Sequence, residues 1–332
     1  MKIDEIINKL EEKISLSLIE AKEIFNLIMN GEIPDEKVKK ILVLLSIKGE
    51  SIEEITGGAL VLRDKCKHVN IQGDAIDTCG TGGDGKNTIN ISTAVAIVLA
   101  DLGFKVAKHG NKGISSKSGS ADVLEKLNIN INKDPNQIEE SIKNKNFGFM
   151  FAPNYHSAMK NVAHIRKELK QRTIFNLLGP LSNPAKINHQ CIGVFSKDIL
   201  KKYIEVLKNL KLKKAWVFHS NDGMDEISLF DRTEVYELDN GKIRNFTIDP
   251  KTIEKENGKI DDIIGQEAEY NANKIKEIFD GKTNTLQKIV SLNTAAALIV
   301  LNKFKELKEA YNFTKKHLET GSVAKYLKTI QE

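Results

Sequence analysis

The chain has 332 residues, 40% of them hydrophobic, which is enough for two buried cores, and its 50 basic and 45 acidic residues leave a net charge of only +5. Because those charges are interleaved, composition excludes a one-sided basic face for nucleic acid, and the longest apolar runs, AVAIVLA and AAALIVL, fall far short of the ~20 residues of a membrane span. Cys66, Cys79 and Cys191 lack CxxC spacing, which excludes a disulfide framework or a zinc site, and the charged start MKIDEIINKLEEK is no secretory leader; together they point to a cytoplasmic chain.

The first seventy residues read as about four helices. In SLSLIEAKEIFNLIMNG, Leu18, Ile19, Ala21, Ile24, Phe25 and Ile28 recur at helical spacing. Ser17 and Glu20 form a capping box there, and Gly31 closes the run. No strand pattern appears before residue 74. From Ala75 strands and helices alternate: AIDTCG, a helix through STAVAIVLADLG, FKVAKHGN, helices in GSADVLEKLN and PNQIEESIKNK, then FGFMFAP. HQCIGVF, a helix from about Asp198 to Leu210, and KAWVFHS continue the series, which implies an α/β fold with a mostly parallel sheet covered on both faces. Asp239-Asn240-Gly241 between two alternating segments signals a hairpin at the sheet edge, and the last ninety residues are mostly helical. NVAHIRKELKQRTIFNLLGPLSNP stands apart as helix followed by turn-rich sequence.

DTCGTGGDGKNTINIST, from Asp77 to Thr93, carries the first chemistry. It matches GxGxxG at Gly80, Gly82 and Gly85, and it nearly matches a P-loop, with Asn87 where Ser or Thr belongs. Glycines let main-chain amides approach an anion, and the helix starting near Asn90 adds its N-terminal dipole. A dinucleotide fold would place an acid at the end of the second strand, where KHGN stands, and Asp84 would repel a triphosphate. Lys108, His109, Lys112 and Lys117 with Ser115, Ser116, Ser118 and Ser120 form a second set of donors, suited to a pyrophosphate. Asp225 and Glu226, just past KAWVFHS, form a carboxylate pair fit for Mg²⁺, with Asp222 nearby. His156, Met159 and Arg166 share compatible faces of an expected helix, with Arg166 placed to hold a carboxylate, and Gly179-Pro180 and Asn183-Pro184 read as a rigid elbow.

Taken in order, CGTGGDG…T.N.ST, KHGN…SS.SGSADVLE, R.EL..RT.FN.LGPL.NP and the Asp-Glu pair resemble the anthranilate phosphoribosyltransferases of tryptophan biosynthesis. The resemblance implies a small N-terminal helical domain, residues 1–70 with 163–183 returning to it, hinged to an α/β domain of 71–162 and 184–332 with a mixed, mostly parallel central sheet. It implies a homodimer through the helical domain, two Mg²⁺ per subunit, and transfer of the 5-phosphoribosyl group from phosphoribosyl pyrophosphate to the amine of anthranilate, releasing pyrophosphate. Gly80, Gly83, Asp84, Thr88, Asn90, Ile91, Ser92 and Thr93 would line the sugar-phosphate site. Lys108, His109, Gly110, Asn111, Lys112, Gly113, Ile114, Ser115, Ser116 and Ser120 would close over its phosphates. Ser92, Asp225 and Glu226 would hold the metal, and Asn111 and Arg166 would position anthranilate, with Gly80 shared between substrates. Two positions depart from the family pattern: Lys112 stands where Arg is usual, losing the planar fork, and Lys170 stands where Gly is usual. A pyrimidine nucleoside phosphorylase shares the implied architecture, and phosphorolysis of thymidine or uridine would reveal one. A non-catalytic nucleic-acid-binding relative would show salt-dependent DNA binding.

Overall fold

A computed structural model describes residues 3–113 and 117–331. Four helices come first: α1 (Ile3–Glu11), α2 (Leu18–Asn30), α3 (Asp35–Lys48) and α4 (Ile52–Lys65). The Ser17 side chain accepts from Glu20 N while Ser17 N donates to Glu20 at 2.9 Å, so the capping box starts α2, and Gly31, at φ 73°, ends it. Ser51 and Glu54 start α4 in the same way. Glu54 is fully buried and is answered by Lys48 Nζ at 2.9 Å.

Strand and helix then alternate through β1 (Ile76–Gly80), α5 (Ile91–Asp101), β2 (Val106–Gly110), α6 (Ser120–Lys126), α7 (Pro135–Lys145) and β3 (Phe147–Phe151). The short α8 (Ala152–Tyr155), α9 (Lys160–Leu169) and α10 (Ile174–Leu178) intervene before β4 (His189–Gly193), α11 (Leu200–Asn209) and β5 (Lys214–Ser220). A hairpin of β6 (Thr233–Asp239) and β7 (Lys242–Ile248) precedes α12 (Ala268–Phe279), α13 (Thr285–Val300), α14 (Leu307–Glu319) and α15 (Ser322–Ile330). One seven-stranded sheet results, in the order β3-β2-β1-β4-β5-β6-β7, parallel through β5 and antiparallel beyond it. Asn240 and Gly241, at φ 48° and 82°, turn the edge hairpin as their sequence demands.

Strand alternation assigns the faces. Ile76, Val106, Phe149, Cys191 and Trp216 pack on one side with α5, α6 and α12 to α15. Ile192, Ala215 and Val217 face the other side, where α11 continues into the first four helices. Val162, Ile165, Ile174, Phe175 and Leu178 of α9 and α10 share that buried cluster with Ile24, Phe25 and Ile28 of α2, and the Phe25 and Phe175 rings meet edge-on at 6.1 Å.

The expected single helix carrying His156, Met159 and Arg166 is interrupted. His156 (φ −111°, ψ 65°) ends α8, Ser157–Met159 form a 3₁₀ turn, and α9 begins at Lys160, so only Arg166 lies on α9. The cause is tertiary: the His156 ring is buried against His109, with centroids 5.0 Å apart, and is held by the Ser182 main chain. At the far end of α9, Lys170 takes the left-handed conformation, φ 50°, that glycine adopts freely. The departure from the family pattern is thus absorbed as strain of about 1–2 kcal/mol.

Candidate active site

β1 has β2 on one side and β4 on the other, so the crevice beyond their C-terminal ends is the sheet's topological switch point. The last residues of β1 and β4, Gly80 and Gly193, are partners in register. Asp225 sits over both. A Cβ on Gly80 would meet its carboxylate, and one on Gly193 would run into its main chain. Glycine at these two strand ends is what lets the loop after β5 lie across them. Gly82 N donates to Asp225 Oδ2 at 2.9 Å, Asp225 N donates to Asp84 Oδ2 at 3.3 Å, and Ser92 N donates to Glu226 Oε1 at 3.2 Å. Burial, then the charge of Asp84, pushes the Asp225 carboxyl above the ordinary range, and burial with the charge of Asp225 does the same to Glu226. Among the described residues no three His, Cys, Asp or Glu side chains gather as a ready-made metal cage. Two desolvated carboxylates crowded by a third suit a hard divalent cation that completes its shell with ligand oxygens and water.

Lys108 is fully buried beneath this point: its ammonium donates to Thr78 O and lies 3.5 Å from Ser92 Oγ, tying β2 to β1 and to the start of α5. Asn90 gives α5 no side-chain cap; its amide instead donates to Ser118 O at 3.2 Å and its Oδ1 accepts from Asn271 at 3.0 Å. Thr93 N donates to Asn90 O, and Thr93 is fully buried with its hydroxyl unpaired among the described residues. Thr88 is half-buried and bridges to Ile264. Asn87, at φ 51°, shows why the P-loop hydroxyl is absent: the position needs a residue that tolerates the left-handed region.

At the end of β2, Asn111, Lys112 and Gly113 are exposed. Gly113 N and Gly119 N both donate to Asp122 Oδ2 at 2.8 Å, and Ser120 Oγ donates to Asn111 O at 3.4 Å, so α6 folds this loop toward Gly110. Lys112 Nζ is engaged by Glu125 Oε2 at 2.9 Å, which raises its proton affinity. Ile114, Ser115 and Ser116 lie outside the described residues.

Alternation along β2 puts His109 on the opposite face from Lys108. Its ring packs on His156 at the elbow and bonds the Gly179 main chain. Burial holds His109 far below the usual imidazole range and His156 at about 4, so both are neutral. With the other ring nitrogen engaged by main chain, each Nε2 is a buried acceptor without a partner among the described residues. Arg166 is half-buried, lies 5.4 Å from the Phe175 ring centroid, and pairs with no carboxylate among the described residues.

The fold brings Gly80, Asp84, Ser92, Lys108, Asp225 and Glu226 together at one crevice, while the ring of His109, grouped in the sequence with the phosphate donors, is turned to the elbow. Sequence reasoning missed three positions. Arg172 donates to Gly83 O. Asp77, buried in β1 and raised to about 6 by desolvation, is held by Asn183 Nδ2 at 2.9 Å. Arg63 donates to Leu181 O at 2.6 Å. Asn183-Pro184 left a visible signal as a turn, and Arg172 stood in the quoted RT.FN motif without a role.

Comparison with known proteins identifies the family. The profile of the glycosyl transferase family's α/β domain matches residues 72–324, and that of its helical bundle domain matches residues 4–66. Anthranilate phosphoribosyltransferase of Pelagibacter ubique is 52% identical over 98% of each chain, and that of Petrotoga mobilis is 45% identical over 96% of this chain and 93% of its own. The crystal structure of the Thermus thermophilus enzyme superposes with a TM-score of 0.92 at 34% identity, covering 98% of both chains. The Saccharomyces cerevisiae enzyme, solved in complex with phosphoribosyl pyrophosphate and Mg, shares the fold at a TM-score of 0.91 and 24% identity, covering 99% of this chain and 96% of its own. With its helical and α/β parts both matched and its relatives aligned end to end, the chain belongs to the anthranilate phosphoribosyltransferase family.

Proposed function

We propose that this chain transfers the 5-phosphoribosyl group of phosphoribosyl pyrophosphate to the amine of anthranilate, releasing pyrophosphate, as the second step from chorismate toward tryptophan. The observation that carries this reading is the seat of Asp225 over Gly80 and Gly193, which sets half-buried Asp225 and buried Glu226 directly against a glycine loop rich in main-chain donors. Ser92, Asp225 and Glu226 would hold Mg²⁺, two ions per subunit, whose charge offsets that accumulating on the departing pyrophosphate. Gly80, Gly83, Asp84, Thr88 and Asn90 to Thr93 line the sugar-phosphate side. Buried Lys108 supplies a fixed positive charge below it, and Asn111 to Ser116 with Ser120 close over the phosphates once Lys112 leaves Glu125.

The anomeric carbon loses its pyrophosphate as the C–O bond breaks, passing through an oxocarbenium-like state, and the amine nitrogen forms the new C–N bond from the opposite face. An aryl amine is a free base at neutral pH, and the N-substituted anilinium formed on attack is acidic enough to give its extra proton to water or the departing pyrophosphate, so no strong protein base is needed. The chain's work is alignment and preorganised charge. Arg166 would pair with the anthranilate carboxylate, Asn111 would help position the ring, and Gly80 would be shared between the two substrates. Closure runs between a helical unit, residues 1–70 with 163–183, and an α/β unit of 71–162 with 184–332.

The protein works as a cytoplasmic homodimer through its helical unit. Exposed Ile14, Leu18, Ile19 and Ile47 support that interface, and the bond from Lys48 Nζ to Ser15 Oγ at 3.2 Å brings the end of α3 beside the α1–α2 turn. No helix among the described residues is long and apolar enough to cross a membrane. Loss of anthranilate fluorescence on adding phosphoribosyl pyrophosphate and Mg²⁺, and its persistence when either is omitted, tests the function. A fluorescence trace that never falls refutes it.

A further inference from the structure

Resting on the phosphoribosyl reading above, we propose that Arg172, which touches neither substrate in that reading, is the positioning residue that sets the glycine loop for its diphosphate. Arg172 lies in the turn between α9 and α10, yet its Nη2 donates to the carbonyl of Gly83, 89 residues earlier. Gly83 sits at φ 77°, where an L side chain is strained, and a Cβ there would also stand 2.9 Å from Nη2. The guanidinium also lies 3.9 Å from the centroid of the Phe195 ring, beyond β4. Phe195 is itself tied to the loop, since Phe195 N donates to Thr81 Oγ1 at 3.0 Å and Thr81 N donates to Gly193 O at 2.9 Å.

The peptide between Gly83 and Asp84 is trans, as is every peptide bond described, so its carbonyl and its N–H point in opposite directions. Holding the carbonyl toward Arg172 turns the Asp84 N–H away from the hinge. From the other side, Asp84 Oδ2 accepts from Asp225 N at 3.3 Å. The loop is therefore gripped between the hinge and the acidic pair. No ion pair within 4 Å engages Arg172 among the described residues, and it lines a cavity of about 180 Å³ together with Ser46, Glu50, Asn176 and Phe195. The Arg172 carbonyl accepts from Ser46 Oγ of α3 at 3.4 Å, so the same residue ties the helical unit to the loop.

The test compares wild type with R172M, which keeps length and apolar contact, and R172K, which keeps a donor without the planar stack. R172M is expected to raise the KM for phosphoribosyl pyrophosphate about tenfold, the equivalent of one charge-assisted hydrogen bond. Its inhibition by pyrophosphate should weaken equally, with the anthranilate KM within twofold of wild type, an unchanged thermal midpoint, and partial recovery in R172K. An unchanged KM for phosphoribosyl pyrophosphate in R172M overturns the assignment, as does an equal rise in both KM values with a lowered midpoint. Calorimetry of phosphoribosyl pyrophosphate with Mg²⁺ reads the same factor without an acceptor. A wild-type chain that binds this sugar but ignores anthranilate would therefore refute the function, while the R172M affinity would still decide the role of Arg172.

Discussion

Replacing Arg166 with methionine should separate binding from stability. The guanidinium is half-buried on Phe175, and burial lowers its proton affinity because no carboxylate among the described residues offsets the charge. In the proposed bound state the anthranilate carboxylate would supply that countercharge. Removing a hydrogen bond to a charged group costs about 1.5–3 kcal/mol, so the KM for anthranilate should rise about ten- to a hundredfold. The KM for phosphoribosyl pyrophosphate should stay within twofold, since the sugar-phosphate donors belong to β1, β2 and α5. The free protein loses an unpaired charge and gains apolar contact, so its stability should hold or rise, within about 1 kcal/mol. Steady-state kinetics in both substrates, with thermal melts of the free protein, reads all three quantities. An anthranilate KM within twofold of wild type would refute the role of Arg166, and a fall in the midpoint accompanied by loss of both affinities would reassign it to the fold.

Other outcomes follow from the same geometry. Asp225→Asn with Glu226→Gln should abolish Mg²⁺-dependent turnover while raising the melting temperature of the metal-free protein, because buried like charges are removed; near-wild-type rates would break the metal assignment. Burial holds the His156 imidazole at about 4, below its unfolded value, so the unfolded chain binds more protons between about pH 6.5 and 4 and stability falls as pH drops through that window. The share of His156 is about 3 kcal/mol, and denaturant titrations of His156→Gln should show a flatter acid limb; an unchanged limb removes His156 as the cause. Ile19→Asp with Ile47→Asp should yield monomers in sedimentation runs at concentrations where wild type is dimeric, and a persisting dimer would place the interface elsewhere.

What the sequence disclosed was what is local. Ser17 with Glu20, Gly31, and Asn240-Gly241 specify their caps and turn within a few residues, and the fold keeps them. The glycine loop was visible from its own spacing, whereas the Asp-Glu pair, a doublet the chain repeats at Asp4-Glu5 and Asp35-Glu36 in first helical turns, stood out only by its place just past a strand. What stayed hidden depends on partners far along the chain. His156 breaks its helix because His109 and Ser182 capture the ring, and Asp77 is held by Asn183, 106 residues away. Lys108 reads as a solvent-facing donor until the sheet closes over it, and the engagement of Lys112 by Glu125 follows only from the way α6 packs back on the strand end.

The return of α9 and α10 to the first helices has a consequence for biogenesis. The apolar sides of α2 and α4 are completed by Val162, Ile165, Ile174, Phe175 and Leu178, so a ribosome that has released α4 must add more than a hundred further residues before that surface can be covered. At ordinary translation speeds the interval is on the order of ten seconds. During it the nascent amino-terminal segment carries an unfinished apolar face, the kind of surface through which partly folded chains associate.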